Sequence, residues 1–115
     1  NDLAVAEYLI ENGIDLNLKD HFDRNLLHWA SSVGKVYALE VLIENGVDIN
    51  QKDALGRTAL HYASQFNQIN CIKMLIKHNA ETLIKDNYEE TALIVAAFCG
   101  NKEATSILHE SSGII

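Results

Sequence analysis

The stretch Thr58-Ala59-Leu60-His61-Tyr62-Ala63 recurs twice in this chain of 115 residues, once on either side and at the same distance. The copy 33 positions earlier reads Asn25-Leu26-Leu27-His28-Trp29-Ala30. The copy 33 positions later reads Thr91-Ala92-Leu93-Ile94-Val95-Ala96. A fixed period of this length is typical of proteins built from stacked structural repeats. The sequence therefore predicts a repeat architecture.

Each copy of the stretch predicts the beginning of a short helix. Its first residue has a side chain that can accept a hydrogen bond from the free N–H groups of a first helical turn. Nine residues later stands a glycine or an asparagine, the types that most readily take the left-handed conformation that ends a helix. The predicted starts are Asn25, Thr58 and Thr91, and the predicted ends are Gly34, Asn67 and Gly100.

A second amphipathic run follows each short helix and ends at Gly13, Gly46 or Asn79 for the same conformational reason. Each unit thus contains two antiparallel helices, and the turn-forming residues between units predict hairpin-like loops. The predicted units are residues 1–19 (second helix and loop of a truncated repeat), 20–52, 53–85, and 86–115, a terminal or near-terminal repeat.

The motif Asp-x-x-Gly-x-Thr-x-Leu-His-x-Ala over residues 53–63, together with the period, resembles the ankyrin repeat family along essentially the whole chain. The resemblance implies an all-α solenoid of about three and a half stacked helix-turn-helix units, linked by β-hairpin-like loops. The family's proline after the threonine is absent from every unit. Its loop glycine remains only at Gly56, and Asp23 and Glu89 take its place elsewhere, so Glu89 is expected to be strained if its φ is positive.

One helix pair cannot bury both of its apolar faces, so neighbouring units are expected to share one core. The core residues expected from the pattern are Leu27, Ala30, Leu39, Leu42 and Ile43, with their equivalents Leu60, Ala63, Ile72, Leu75 and Ile76. Cys71 occupies a position held elsewhere by alanine, which predicts a small apolar filler.

The formal net charge of −7 disfavours binding to nucleic acids and to anionic membranes, since both depend on positive charge. The longest apolar run, residues 92–99, is far shorter than the ~20 residues of a spanning helix, so no membrane insertion is expected. Two cysteines in a repeat protein do not indicate a disulfide framework, which favours an intracellular location, cytoplasmic or nuclear. We expect a monomer that forms part of a longer chain.

His28 and His61 stand at the same position of successive units, where an imidazole can bridge backbone groups of neighbouring repeats. No closely spaced set of cysteine and histidine completes a zinc site, and no glycine-rich phosphate loop or Gly-x-Ser-x-Gly motif is present. We therefore expect no enzyme activity, no catalytic residue, no metal and no cofactor. Cys99 is expected to face the partner-binding surface, where a partly exposed thiol could be sensitive to oxidation.

The resemblance implies that loop tips and the inner faces of the first helices line a concave surface that binds a partner protein. Six of the eight aromatic residues fall on this predicted face, and aromatic side chains are enriched at binding hot spots. An alternative for Trp29 and Tyr62 is that they cover the helix stack. The predicted partner-binding residues are Phe22, Arg24, Trp29, Val33, Leu55, Arg57, Tyr62, Phe66, Tyr88 and Phe98.

Lysines one repeat apart, each followed by an aspartate, also fall on this face: Lys19, Lys52 and Lys85. Either they recognise an acidic partner segment or the aspartates compensate their charge. Arg24 and Arg57 make the first two units more basic, whereas Glu90 reverses the sign in the third. The expected partner is a protein segment with an acidic part near the first two units and an apolar part over Trp29, Tyr62 and Phe66.

The chain could instead be a regulatory or spacer segment of a larger multidomain enzyme, acting in cis. Asn17 and Asn50 each stand eight residues after a leucine, Leu9 or Leu42, which looks like the pattern that asparaginyl hydroxylases use on ankyrin repeats. The other interpretation is that both asparagines only hydrogen-bond their turns.

Overall fold

A computed structural model describes residues 4, 11–13 and 15–112, and the helices bounded within that part form three pairs without any strand. The predicted all-α, ankyrin-type solenoid is confirmed, whereas most of the truncated repeat predicted at residues 1–19 lies outside the described residues. The helices are α1 (Leu26–Val33), α2 (Val36–Glu44), α3 (Ala59–Gln65), α4 (Ile69–Lys77), α5 (Ala92–Phe98) and α6 (Lys102–Ser111).

The predicted helix starts and ends are confirmed. At the start of α1, the Asn25 side-chain oxygen accepts the His28 N–H at 3.0 Å, and at the start of α5 the Thr91 hydroxyl accepts the Ile94 N–H at 3.3 Å. Every residue predicted to end a helix has a positive φ, as the left-handed conformation requires. These residues are Gly13, Gly34, Gly46, Asn67, Asn79 and Gly100.

The helices form two layers. The first helices of the pairs contact one another, α1 against α3 and α3 against α5, and the second helices α2, α4 and α6 stack in the same order. Each first helix carries a fully buried alanine where it meets its neighbour: Ala30, Ala63 and Ala96. The small side chain allows the helices to approach closely. All the predicted core residues belong to the core, with Ile43 and Ile76 half-buried at its edge.

The loops between the helix pairs are joined to one another by backbone hydrogen bonds. The Ala54 N–H donates to the Phe22 carbonyl at 2.8 Å, and the Asn87 N–H donates to the Leu55 carbonyl at 2.9 Å. A left-handed residue turns each loop, with φ of 59° at Asp23, 76° at Gly56 and 63° at Glu89. The positive φ of Glu89 means that the expected strain is present.

Glycine is retained at position 56 because the next loop packs against it. A Cβ atom there would lie 2.6 Å from the Asn87 side-chain oxygen and 3.0 Å from the Asn87 nitrogen. One repeat earlier, the residue equivalent to Asn87 is Ala54, whose side chain carries no amide group. At position 56, the close packing of the next loop therefore adds to the positive φ in favouring glycine.

Two buried histidines tie the repeats together, as expected. The His28 Nε2 lies 2.9 Å from the Arg57 carbonyl oxygen, and the His61 Nε2 lies 2.8 Å from the Glu90 carbonyl oxygen. The Nδ1 atoms accept the backbone N–H of Asn25 and Thr58, so the ring proton resides on Nε2, which donates to the carbonyl. Burial lowers the pKa of both imidazoles, which keeps them neutral and bridging.

Candidate functional site

The first helices and the loop tips present an apolar, aromatic-rich surface, which we call the groove. Trp29, Phe66 and Phe98 are 47%, 50% and 87% exposed although the core is complete without them. The remaining predicted partner-binding residues divide into exposed ones and half-buried ones. Phe22, Arg24, Val33, Leu55 and Tyr88 are exposed, and Arg57 and Tyr62 are half-buried.

The first pocket of the groove lies between α1 and α3 and has a volume of about 280 Å³. Arg24 stands at its edge, where its Nε donates to the Asp20 Oδ2 at 2.8 Å and its guanidinium lies 5.1 Å from the centre of the Phe22 ring. The hydrogen bond to Asp20 raises the pKa of Arg24. The pocket is lined by Asp20, Arg24, Asn25, His28, Trp29, Ser32, Tyr62 and Phe66.

Tyr62 forms one wall of the first pocket and is fixed by the scaffold. Its hydroxyl donates a short hydrogen bond to the Asp53 Oδ2, and its ring meets His28 edge-on, with 5.4 Å between the ring centres. Burial, together with the bond to Asp53, raises the pKa of Tyr62 to about 12. The alternative that aromatic residues cover the helix stack therefore fits Tyr62, while Trp29 keeps nearly half of its surface free.

A second pocket lies between α3 and α5 and has a volume of about 500 Å³. It is open because Val95 stands where the two preceding repeats carry Trp29 and Tyr62, so no large ring fills the space. Val95 forms the pocket floor, with only 7% of its surface exposed. The lining residues are Arg57, Gln65, Glu90, Ile94, Val95, Phe98 and Cys99.

Arg57 lines the second pocket and is held there by residues of two repeats. Its Nη1 donates to the Gln65 Oε1 at 3.0 Å, and its Nε lies 3.8 Å from the Oδ2 of the buried Asp86. The ion pair with Asp86 was missed by sequence reasoning because the two residues lie 29 positions apart in different units. The only sequence signal for this ion pair is that an aspartate recurs at the same loop position in each repeat, as Asp20, Asp53 and Asp86.

The aspartates that follow the lysines shape the loops. The Oδ1 of Asp53 accepts the N–H groups of Leu55 and Arg57, both at 2.9 Å. Asp20 and Asp86 repeat this arrangement in their own loops. The Oδ2 atom of each aspartate faces a different side chain. Asp20 meets Arg24, Asp53 meets Tyr62, and Asp86 meets Arg57.

The two cysteines differ as expected. Cys71 is buried, which raises the pKa of its thiol to about 11, and it packs in the core. Cys99 is exposed and lines the second pocket.

Within residues 4, 11–13 and 15–112, no three His, Cys, Asp or Glu side chains cluster in a way that could hold a metal ion. No helix in the same part of the chain is long and apolar enough to cross a membrane.

Asn50 and Asn17 occupy similar turns but differ in their side-chain contacts. Each backbone N–H donates to the aspartate two residues earlier, at 3.0 Å for Asn50 and 2.9 Å for Asn17. The Asn50 Oδ1 also accepts the Glu81 N–H of the next loop at 2.9 Å, whereas Asn17 is exposed. Leu9, the leucine that precedes Asn17 in the proposed pattern, lies outside the described residues.

A family model described as ankyrin repeats (3 copies) matches residues 1–86 and again residues 27–114. No curated protein matches the chain significantly. Ankyrin repeats are generally protein–protein interaction modules and are typically non-catalytic. With the period, the paired helices and the bridging histidines in agreement, the chain belongs to the ankyrin repeat family.

Proposed function

We propose that the chain binds a partner peptide or domain through the groove and the loop tips. The exposure of Trp29, Phe66 and Phe98 along successive first helices supports this proposal most strongly. Each ring offers a large apolar area with few rotatable bonds, so little conformational entropy is lost when a partner covers it. None of the three rings belongs to the buried core, so each keeps about half or more of its surface available to a partner.

The partner segment carries an acidic group beside the first two repeats and apolar side chains over Trp29, Tyr62 and Phe66. Arg24 supports the acidic part, because Asp20 takes its Nε–H while a guanidinium carries five N–H donors in all. Arg57 is bound on two sides by Gln65 and Asp86, so its contribution is expected to be the smaller of the two.

Replacing both Trp29 and Phe66 by alanine is expected to weaken binding at least about thirtyfold, because two aromatic contacts are lost together. The measurement is selection of peptides from a random display library on the wild-type chain, followed by titration of an enriched peptide against both proteins. Reversing the charge of Arg24 and of Arg57 is expected to weaken the peptides that carry acidic residues. Melting curves establish that each variant is folded.

Tyr37→Ala is the matched control for the aromatic substitutions. Tyr37 is 60% exposed, but it lies on α2, away from the groove. Its loss should leave peptide affinity unchanged. Equal losses in Tyr37→Ala and in the double variant would contradict a groove-centred binding site.

We further propose that Asn17 and Asn50 are substrates of an asparaginyl hydroxylase. The exposed side chain of Asn17 is expected to react before that of Asn50, whose amide oxygen is engaged by the Glu81 N–H. Intact-mass measurement after treatment with such an enzyme should show one added oxygen atom on Asn17 first. The same mass gain in an Asn17→Ala, Asn50→Ala double variant, or no gain in the wild type, would contradict the assignment.

A further inference from the structure

The two pockets of the groove differ in how their charged side chains are paired. In the first pocket, the positive charge of Arg24 is matched by Asp20, with which it forms an ion pair. In the second pocket, Arg57 is matched by Asp86, and the carboxylate of Glu90 remains. Glu90 is therefore the one charged side chain lining these two pockets for which the described residues supply no ion-pair partner. A bound group that neutralises it must be a cation.

Three hydrogen bonds fix the main chain of Glu90, which carries the carboxylate. The Glu90 carbonyl oxygen accepts the Asp86 N–H at 2.9 Å and also the His61 ring at 2.8 Å. The Glu90 N–H donates to the Asp86 Oδ1 at 2.9 Å. Among residues 4, 11–13 and 15–112, no cation forms an ion pair with the Glu90 side chain, which is half-buried at the pocket edge.

The rest of the second pocket is apolar. Val95 forms the floor, Ile94 is 43% exposed, and the Phe98 ring, 87% exposed, forms a free aromatic face. An apolar floor beside a fixed carboxylate suits a side chain that has an aliphatic stem and a charged end. A cation placed near the Phe98 ring would gain a further attraction from its π face.

We propose that the pocket between α3 and α5 binds a lysine or arginine side chain of the partner segment, with the charged end on Glu90 and the stem over Val95 and Phe98. The proposal rests on the proposed function of the groove. A purely apolar side chain would leave Glu90 without a partner while removing it from water, which is unfavourable. The chain's net charge of −7 also favours the approach of a basic group.

The stacking geometry sets the spacing of charges in the partner. Arg24 and Glu90 hold equivalent positions two repeats apart. Packed helices lie ~8–10 Å apart, so the two charges are separated by roughly 16–20 Å. An extended peptide advances about 3.3 Å per residue, so its acidic and basic residues should be about five or six positions apart. Apolar residues between them would cover Trp29, Tyr62 and Phe66.

The test begins with peptides selected from a random display library on the wild-type chain. Enriched peptides are expected to contain a lysine or arginine about five or six positions from an acidic residue. For one such peptide, Glu90→Gln should weaken binding about fivefold to tenfold. Changing the basic residue of the peptide to methionine should cost the same factor on the wild type and nothing on Glu90→Gln.

Glu89→Gln is the matched control, because it removes the same charge from the neighbouring residue, which does not line the pocket. It should leave the affinity unchanged. Peptides that bind through Trp29 and Phe66 but carry no basic residue, with equal affinity for the wild type and Glu90→Gln, would overturn the basic-side-chain proposal alone. If no peptide is enriched, recognition of a linear segment by the groove fails, and this proposal fails with it.

Discussion

Replacing Leu75 by alanine is expected to lower the free energy of unfolding by about 2–5 kcal/mol, because the truncation leaves a cavity that packed neighbours cannot fill. Leu75 is fully buried in α4, which packs against α3 of its own pair and against α2 and α6 of the adjacent pairs. The substitution therefore weakens two interfaces between repeats as well as the middle pair itself.

Urea denaturation and thermal melting measure the loss in Leu75→Ala. Leu83→Ala is the control, since Leu83 is 57% exposed in a loop and its truncation should change stability by no more than about 0.5 kcal/mol. Hydrogen exchange should show protection lost first in α3 and α4, with unfolding then spreading to both sides. A melting curve of Leu75→Ala that coincides with that of Leu83→Ala would contradict the core assignment.

Lowering the pH from 7 to 5 is expected to destabilise the fold through His28 and His61. Burial holds the pKa of both residues below the ordinary value of 6.5, so the unfolded chain binds protons more readily than the folded one. The stability that depends on neutral His28 and His61 is therefore fully present above about pH 6.5 and is lost as the pH falls below that value. Each histidine can contribute up to about 1.4 kcal/mol per pH unit in that window.

Nearby charges moderate the size of this effect. The carboxylates of Asp53 and Asp20 act on His28, and those of Asp86 and Asp53 act on His61; all of them raise the histidine pKa. Arg57 acts on His61 in the opposite direction. Because burial is the largest influence on both rings, the direction of the stability change is set by burial.

Urea denaturation at a series of pH values between 5 and 7.5 tests the prediction. The variant His61→Asn should be less stable at pH 7 and should show a weaker dependence on pH than the wild type, because one of the two histidines is gone. His21→Asn, at an exposed loop position, should keep the wild-type profile. An unchanged pH profile in a folded His61→Asn variant would contradict the role assigned to that imidazole.

The fold could be predicted from the sequence because its signals are local and repeated. Asn25 and Thr91 cap helices with their own side chains, and Gly34 or Asn67 ends a helix through its own backbone freedom. Such properties do not depend on the rest of the chain. The period then places each helix pair against an equivalent pair, which makes Leu60 and Leu75 core residues.

The candidate site could be predicted only in part, because its shape depends on contacts between repeats. The exposed aromatic residues Trp29, Phe66 and Phe98 follow from their positions in the period. The pairing of Arg57 with Asp86 does not, since it needs the distance between two loops. The second pocket exists because Val95 replaces the aromatic residue found at the equivalent position of the two preceding repeats. In a single sequence, a small apolar residue does not by itself indicate a pocket.

The bridging histidines bond to main-chain carbonyl oxygens of the following loop, and Arg57 and Glu90 illustrate the consequence. Each gives its carbonyl oxygen to a bridging histidine while its side chain lines the groove. Mutation can therefore change the recognition chemistry at these two positions without removing the bridging bond. Position 90 is therefore a natural site for directed evolution with little loss of stability, whereas position 57 also supplies the ion-pair partner of the buried Asp86.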